Sequence, residues 1–409
     1  MAKRKKRRIK WGRVVVAIFL VLGICFVLGI GLYKYFNDDN NVKTEEVNNE
    51  VIKPKSEVYS ASLVMVGDAL IHDKIYNEAK RLGNGNYDFK PMLDLIEPIT
   101  SKYDLAYYNQ ETILGGSEIG VSSYPSFNSP HEVGDAFIDV GFNLVSLATN
   151  HTIDRGERAV INSRNYWNSK SDVLAVGSYG SFDERNKVNI KTVNNISYTM
   201  LNYTYGTNGI RVPTGKEYLV NVWPVTGNNP SNDSKYQSYK EQVKKDIEAV
   251  RNQVDVLMVA MHWGIEYQTS PNSYQKDMAD YLASLGVDII IGTHPHIIQP
   301  ITWIDDTLVI YSLGNFISAH EVVNVGNRVG LMSSIDITKV VDGDNITIKL
   351  DNLNNELLYT YYTSSYKDIK VIPFSMMNSN YLSNYKEVYN KYKGIVQSID
   401  SNILVKDLN

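Results

Sequence analysis

Six of the seven histidines of this 409-residue chain fall in or beside a few short motifs, and most of these motifs follow an apolar run. Leu63-Val64-Met65-Val66 leads into Gly67-Asp68, with His72 four residues on. Leu144-Val145-Ser146-Leu147-Ala148 leads into Thr149-Asn150-His151. Val256 to Met261 leads into His262-Trp263-Gly264, and Ile289-Ile290-Ile291 leads into Gly292-Thr293-His294-Pro295-His296. Carboxylate, amide and imidazole groups in such company suit divalent metal ions. Two ions a few ångströms apart can clamp the attacking and leaving oxygens of a hydrolysis. Asp68 offers a carboxylate, Asn150 an amide oxygen, and His262, His294 and His296 imidazoles. Asn109 and Glu111 stand two apart, so in a strand they project to one side. Pro295 is expected to hold its neighbours extended and let both flanking rings turn to one site. His72 and Asn109 are additional candidates. His131, after Phe-Asn-Ser-Pro (127–130), could line the pocket, whereas His320 reads as incidental. Each residue also has a bland reading: Asp68 as a turn residue, Asn150 or Asp154 as a helix cap, Glu111 as a salt-bridge partner, His262 as a core histidine. Convergence of ligand-type residues from five strand ends favours the metal reading.

The elements that must deliver these groups are short β-branched runs, which read as strands buried on both faces. In open α/β sheets, ligands bind outside the carboxyl ends of the strands. Helical candidates alternate with them at residues 89–100, 131–140, 157–170, 238–252 and 273–285, and a closing helix is expected at 381–399. This alternation predicts a layered α/β domain. Beyond residue 330 the pattern turns β-rich. A hairpin is expected around Asp342-Gly343-Asp344-Asn345, with further strands at 357–362 and 370–373.

The N-terminus carries a different signal. Residues 3–13 hold eight Lys or Arg, and the nineteen residues 14–32 carry no charge, about the length that crosses a hydrocarbon core. The basic tail is expected to stay cytoplasmic and the rest to lie outside the plasma membrane. The sole cysteine, Cys25, falls in mid-span after Ile24, where a lipoprotein signal would need a small residue. The part beyond the anchor therefore has neither disulfides nor a thiol nucleophile. The organisation expected is a cytoplasmic tail (1–13), a single-pass anchor (14–33), a polar linker (34–60), a main α/β domain (61–330) and its β-rich completion (331–409). The chain has net charge −4, and setting aside the eight cationic tail residues leaves about −12, a poor surface for nucleic acid.

The motifs resemble, in order over roughly residues 61–320, the CapA-type poly-gamma-glutamate capsule synthesis family. They are Gly-Asp-Ala-Leu-Ile-His (67–72), Asn-Gln-Glu-Thr (109–112), Phe-Asn-Ser-Pro (127–130), Ala-Thr-Asn-His-Thr-Ile-Asp-Arg-Gly (148–156), His-Trp-Gly-Ile-Glu-Tyr (262–267), Gly-Thr-His-Pro-His-Ile-Ile-Gln-Pro (292–300) and Tyr-Ser-Leu-Gly-Asn-Phe (311–316). That family is similar in turn to calcineurin-like metallophosphoesterases. The resemblance implies a four-layer α/β/β/α sandwich with a two-metal site. Asp68, Glu111, Asn150, His262, His294 and His296 would occupy the ligand positions, with Glu111 as the bridging acid. His151 would act near the leaving group as general acid or electrostatic stabiliser, and Asp68 and His151 are the catalytic candidates. Manganese, iron and zinc all suit such ligands. The sequence departs from the phosphoesterase pattern at Leu70, where an Asp-x-His pair would place histidine, and in its Asn-x-Glu; His72 is the candidate substitute. Two functions follow from the resemblance. One is a metal-dependent (phospho)hydrolase outside the cell, working with capsule polymer synthesis or export proteins. The other is a non-catalytic accessory protein that binds the polymer, with Arg155, Arg158, Arg211 and Arg328 as carboxylate contacts. A scaffold without a working site is the weakest alternative.

Overall fold

A computed structural model describes residues 56–225, 229–320 and 324–408. The chain divides into two units, and everything below concerns Val58–Val340 with Thr347–Asn409. The apolar segment 14–33 and the linker before residue 56 lie outside the described residues. Among the described residues no helix is long and apolar enough to cross a membrane.

The first sheet is built on β1 (Glu57–Ala69), β2 (Leu105–Gln110), β3 (Leu144–Ser146) and β4 (Leu174–Val176). The chain then leaves for a second sheet: β5 (Lys191–Val193), β6 (Ile196–Thr204), β7 (Val256–His262), β8 (Ile289–Thr293), β9 (Ile301–Ile304) and β10 (Thr307–Ile310). It returns to the first with β11 (Asn315–Ile317), β12 (Val329–Asp342), β13 (Asn345–Tyr361) and β14 (Lys370–Pro373). The strand orders are β14-β13-β12-β1-β2-β3-β4, with β11 also on β1, and β5-β6-β7-β8-β10-β9. Six longer helices complete the frame: α1 (Asp73–Leu82), α2 (Glu132–Asp139), α3 (Gly156–Asn168), α4 (Ser234–Arg251), α5 (Ser273–Ser284) and α6 (Tyr385–Val396).

Alternation within the strands produces the layers. In β1, Leu63 and Met65 point into the core between the sheets, while Val64 and Val66 point to a second core shared with α1, α2 and α3. In β7, Met258 and Ala260 join the inter-sheet core, and Leu257, Val259 and Met261 face α4 and α5. With period two and apolar residues at both parities, each strand is covered on both faces. The result is helices, sheet, sheet, helices. The closing helix α6 packs Val388, Tyr389, Tyr392 and Val396 against the inter-sheet core.

Three expectations need correcting. Residues 89–100 form only a 3₁₀ turn (Lys90–Met92) and a single helical turn (Glu97–Thr100), because Pro98 would fall inside a continuous helix, where it removes a donor and clashes with the preceding turn, and is accommodated instead at the start of a new one. The run 357–362 is not a separate strand but the end of β13, which continues unbroken from Asn345 to Tyr361. Helix α1 was not anticipated, since its mostly polar sequence turns only Ile75, Glu78 and Ala79 inward.

Candidate metal centre

The parallel strands of both sheets end at one cleft. β1 delivers Asp68, β2 Asn109 and, one step past its end, Glu111. β7 ends on His262, and β8 ends on Thr293 just before His294. Asp68 lies opposite Asn109 in the β1–β2 register, and Thr293 opposite His262 in β7–β8. All of these residues are buried.

Close backbone approach brings the sheets together here. Residues 311–314 carry the chain from β10 to β11, and thus from one sheet to the other. Leu313 N–H donates to the Gly292 carbonyl at 3.1 Å, and Asp68 N–H to that of Gly314 at 3.0 Å. A Cβ on Gly67 would meet the Gly314 oxygen at 1.8 Å, and one on Gly292 the Tyr311 oxygen at 2.0 Å. Only glycine permits such contact. A side chain supplies a second tie: Asn202 of β6 accepts both the Leu147 and Ala148 backbone N–H groups beyond β3.

Within the cleft, the Asn109 amide donates to Asp68 Oδ1 at 2.8 Å, and its oxygen accepts the Ser146 hydroxyl at 2.6 Å. Asn109 therefore orients Asp68 and has its oxygen occupied. His262 Nε2 lies 2.9 Å from Asn150 Oδ1, and its Nδ1 lies 3.0 Å from the Thr293 hydroxyl. Glu111 Oε1 is 3.7 Å from His262 Nε2 and 3.5 Å from His296 Nε2. Asp68 Oδ2 is 3.4 Å from His296 Nδ1. Ligand-type atoms of Glu111, His294 and His296 all lie within 4.8 Å of one another. His294 and His296 have φ of 95° and 58°, so Pro295 sits in a bend between two left-handed residues, not in an extended segment. Such strain in non-glycine residues concentrates at functional sites.

Both carboxylate oxygens of Glu111 and Nδ1 of His294 are buried without any hydrogen-bond partner. Unpartnered buried groups of this kind cost free energy, and a cation between them would remove that cost. The donor set fits the group. Burial pushes the Glu111 carboxyl well up, despite the opposing pull of His296. Burial, with neighbouring histidines adding to it, holds His262 and His294 well below the usual imidazole range, leaving them neutral as metal ligands must be. For His296 burial acts downward, but Glu111 and Asp68 outweigh it and raise the group to about 10.

The chain belongs to the family of bacterial capsule synthesis proteins PGA_cap. The family model matches residues 62–320, the stretch that holds this centre. Among its relatives are a PGA biosynthesis protein CapA of Bacillus subtilis (strain 168), 28% identical over 44% of this chain and 43% of that one, and a capsule biosynthesis protein CapA of Bacillus anthracis, 25% identical over 63% and 59%. This PGA_cap chain thus spans about half the length of the curated relatives it matches. Solved structures similar to it include the calcineurin-like phosphoesterase YfkN from Bacillus subtilis, 14% identical over 82% of this chain and 99% of that one, TM-score 0.43. A 5'-nucleotidase from Candida albicans SC5314 is 14% identical over 69% and 51%, TM-score 0.37.

The remaining histidines of this PGA_cap chain divide otherwise than expected. His151 Nδ1 is 2.7 Å from Asp154 Oδ2, so Asp154, read as a helix cap, is instead the partner of the imidazole; the His-x-x-Asp spacing was the signal. His72 lies at the start of α1, its ring 4.7 Å from that of His320. His320, read as incidental, is 5.4 Å from His296; no spacing rule reveals it, because it lies three residues past the end of β11, in a segment brought to the cleft only by the fold. His131 leaves the cleft and stacks on Tyr166 at 4.7 Å among the helices. Of the arginines, Arg155 donates to the carbonyls of Ile119 and Gly120 and to Ser122. Arg328 lies between the rings of Tyr359 and Tyr362. Both are engaged within the protein.

Proposed function

We propose that this chain is a membrane-anchored, extracytoplasmic, metal-dependent hydrolase of capsule polymer synthesis, acting on a phosphoester. The observation that carries the reading is Glu111, a fully buried carboxylate with two unpartnered oxygens facing His262 and His296. Asp68, Glu111, Asn150, His262, His294 and His296 would hold divalent cations, two by the number of ligands. Bound cations of this kind polarise a phosphoryl oxygen and lower the pKa of water. The protein's own part is orientation and proton transfer. Asp154 accepts from Nδ1 of His151 and leaves Nε2 to bring a proton to the leaving oxygen. Phe127 sets its ring edge-on to His151 at 4.7 Å and fixes the imidazole plane. The uncharged segment 14–32 after eight basic residues supports the anchor and the outside location. The relatives' names support the capsule biosynthesis process.

The test is metal content and phosphomonoesterase and phosphodiesterase turnover of the purified full chain, beside Asp68→Ala and His294→Ala. Bound transition metal, with turnover lost in both variants, is the expected result. A folded protein with neither metal nor turnover would end the hydrolase reading and leave polymer binding in its place.

A further inference from the structure

Five imidazoles stand in a file along the cleft. Ring centroids are 4.8 Å apart from His262 to His294, 5.8 Å from His294 to His296, 5.4 Å from His296 to His320 and 4.7 Å from His320 to His72. The first three belong to the candidate metal centre. The last two have a chemistry that their neighbours decide.

Asn315 sets His320. Its Nδ2 donates to the Asn327 carbonyl at 2.9 Å. A carbonyl only accepts, so this contact fixes which way the amide faces. The same Nδ2 lies 3.2 Å from His320 Nε2. That nitrogen must therefore accept, and the ring proton sits on Nδ1. His72 is set by the backbone. Ala319 N–H points at His72 Nδ1 at 3.2 Å and has no other acceptor among the described residues. The Leu70 carbonyl is also 3.1 Å from Nδ1, but it already accepts the His72 backbone N–H at 3.1 Å. Every backbone group is satisfied only if Nδ1 accepts and the His72 proton sits on Nε2. Two neutral rings 4.7 Å apart thus carry one N–H donor each, Nδ1 of His320 and Nε2 of His72. Among the described residues neither has a hydrogen-bond partner. Phe127 presents its edge to His72 at 5.4 Å and to His151 at 4.7 Å, so the donor pair and His151 flank one aromatic wall. Tyr267, 47% exposed, adds a second aromatic ring 6.3 Å from His320.

We propose that His72 and His320 form a two-donor subsite beside the metal centre that holds an anionic substrate oxygen, of a phosphoryl or a carboxylate group. This rests on the cleft being the substrate site proposed above. It assigns His72 to substrate rather than metal, and it brings in His320.

Nitrogen-15 spectra of histidine-labelled full chain test the protonation pattern: Nδ1–H is expected for His320 and Nε2–H for His72. The reverse in either ring overturns the proposal. Calorimetric titration with inorganic phosphate and, separately, glutarate tests the ligand. His320→Leu and His72→Leu should each weaken binding about tenfold, the scale of one hydrogen bond to a charged group, with metal content unchanged. Rescue should be position-specific. His320→Asn restores a donor at the Nδ1 position and His72→Gln one at Nε2, whereas the exchanged pair, His320→Gln and His72→Asn, should not restore binding. Tighter phosphate binding assigns the oxygen to a phosphoryl group, and tighter glutarate binding to a carboxylate. Loss of metal in the Leu variants would make these residues ligands and overturn the proposal. So would unchanged affinity in both variants, or failure of the wild-type chain to bind either anion. Absence of phosphoester turnover with binding still dependent on His72 and His320 would sink the hydrolase reading while leaving the subsite standing.

Discussion

At the scale of single residues, Glu111 decides the chemistry. Its carboxylate is buried with no donor, so Glu111→Gln should abolish metal uptake. Added manganese or zinc should then raise the melting temperature of the wild type but not that of the variant. Protonation adds a second expectation. His296 stands at about 10, so it carries a proton at neutral pH that a bound cation must displace. Metal loading should therefore release protons and weaken as pH falls, which calorimetry in buffers of different ionisation enthalpy would detect. Asp154→Asn should leave metal content intact and lower kcat by about 10²-fold, the lower end of what general acid catalysis supplies. Much of this site was legible beforehand, because ligand residues placed directly after apolar strands announce themselves. What stayed hidden were relations across the fold. Asn109 donates to Asp68 and accepts the Ser146 hydroxyl, links that no spacing announces, and His320 looked idle because nothing near it in sequence predicts His296.

At the scale of elements, the site exists because two sheets packed face to face are tied closely together at glycines. Gly67→Ala would force a Cβ to 1.8 Å from the Gly314 oxygen. The strands must separate to admit it, and a loss of about 3 kcal/mol is expected in denaturant melts, together with loss of metal. Asn202→Leu would strand the Ala148 N–H, at about 1–3 kcal/mol, whereas Leu147 N–H keeps the Val176 carbonyl. Away from the cleft, Lys339 of β12 donates to Asp255, which precedes β7, at 2.8 Å. Burial alone would raise the Asp255 carboxyl, but hydrogen bonds from Lys339 and Ser197 outweigh it and hold the group below its usual value. A depressed folded-state value means that the ionised carboxylate stabilises the fold above its unfolded pKa. That stability is lost as pH falls through the folded value. Acid denaturation profiles should show this as a steeper fall below about pH 4, and Lys339→Met should flatten it. The strands that position the centre were readable as runs of β-branched residues. The α1 helix and the length of β13 were not, since one buries few residues and the other runs through the polar stretch Asp351-Asn352-Leu353-Asn354-Asn355-Glu356, with Asn352 at φ 55°, which breaks the alternation.

At the scale of the whole molecule, the order in which the chain visits the two sheets has a kinetic meaning. β1 is an interior strand, flanked by β2 on one side and by β11 and β12 on the other. Its partners on that second side lie some 250 residues downstream, after the whole second sheet has been laid down. Pairings so distant in sequence form late. During synthesis, β1 would wait as a bare edge, a template for the wrong partner. The chain should therefore fold slowly once its last strands emerge. Truncation before β12 should give aggregation rather than a smaller working domain, although the family motifs end at about residue 320 and would all be retained. Sedimentation of a product ending at 320 beside the full chain would show whether the late strands are as indispensable to assembly as this order of visits requires.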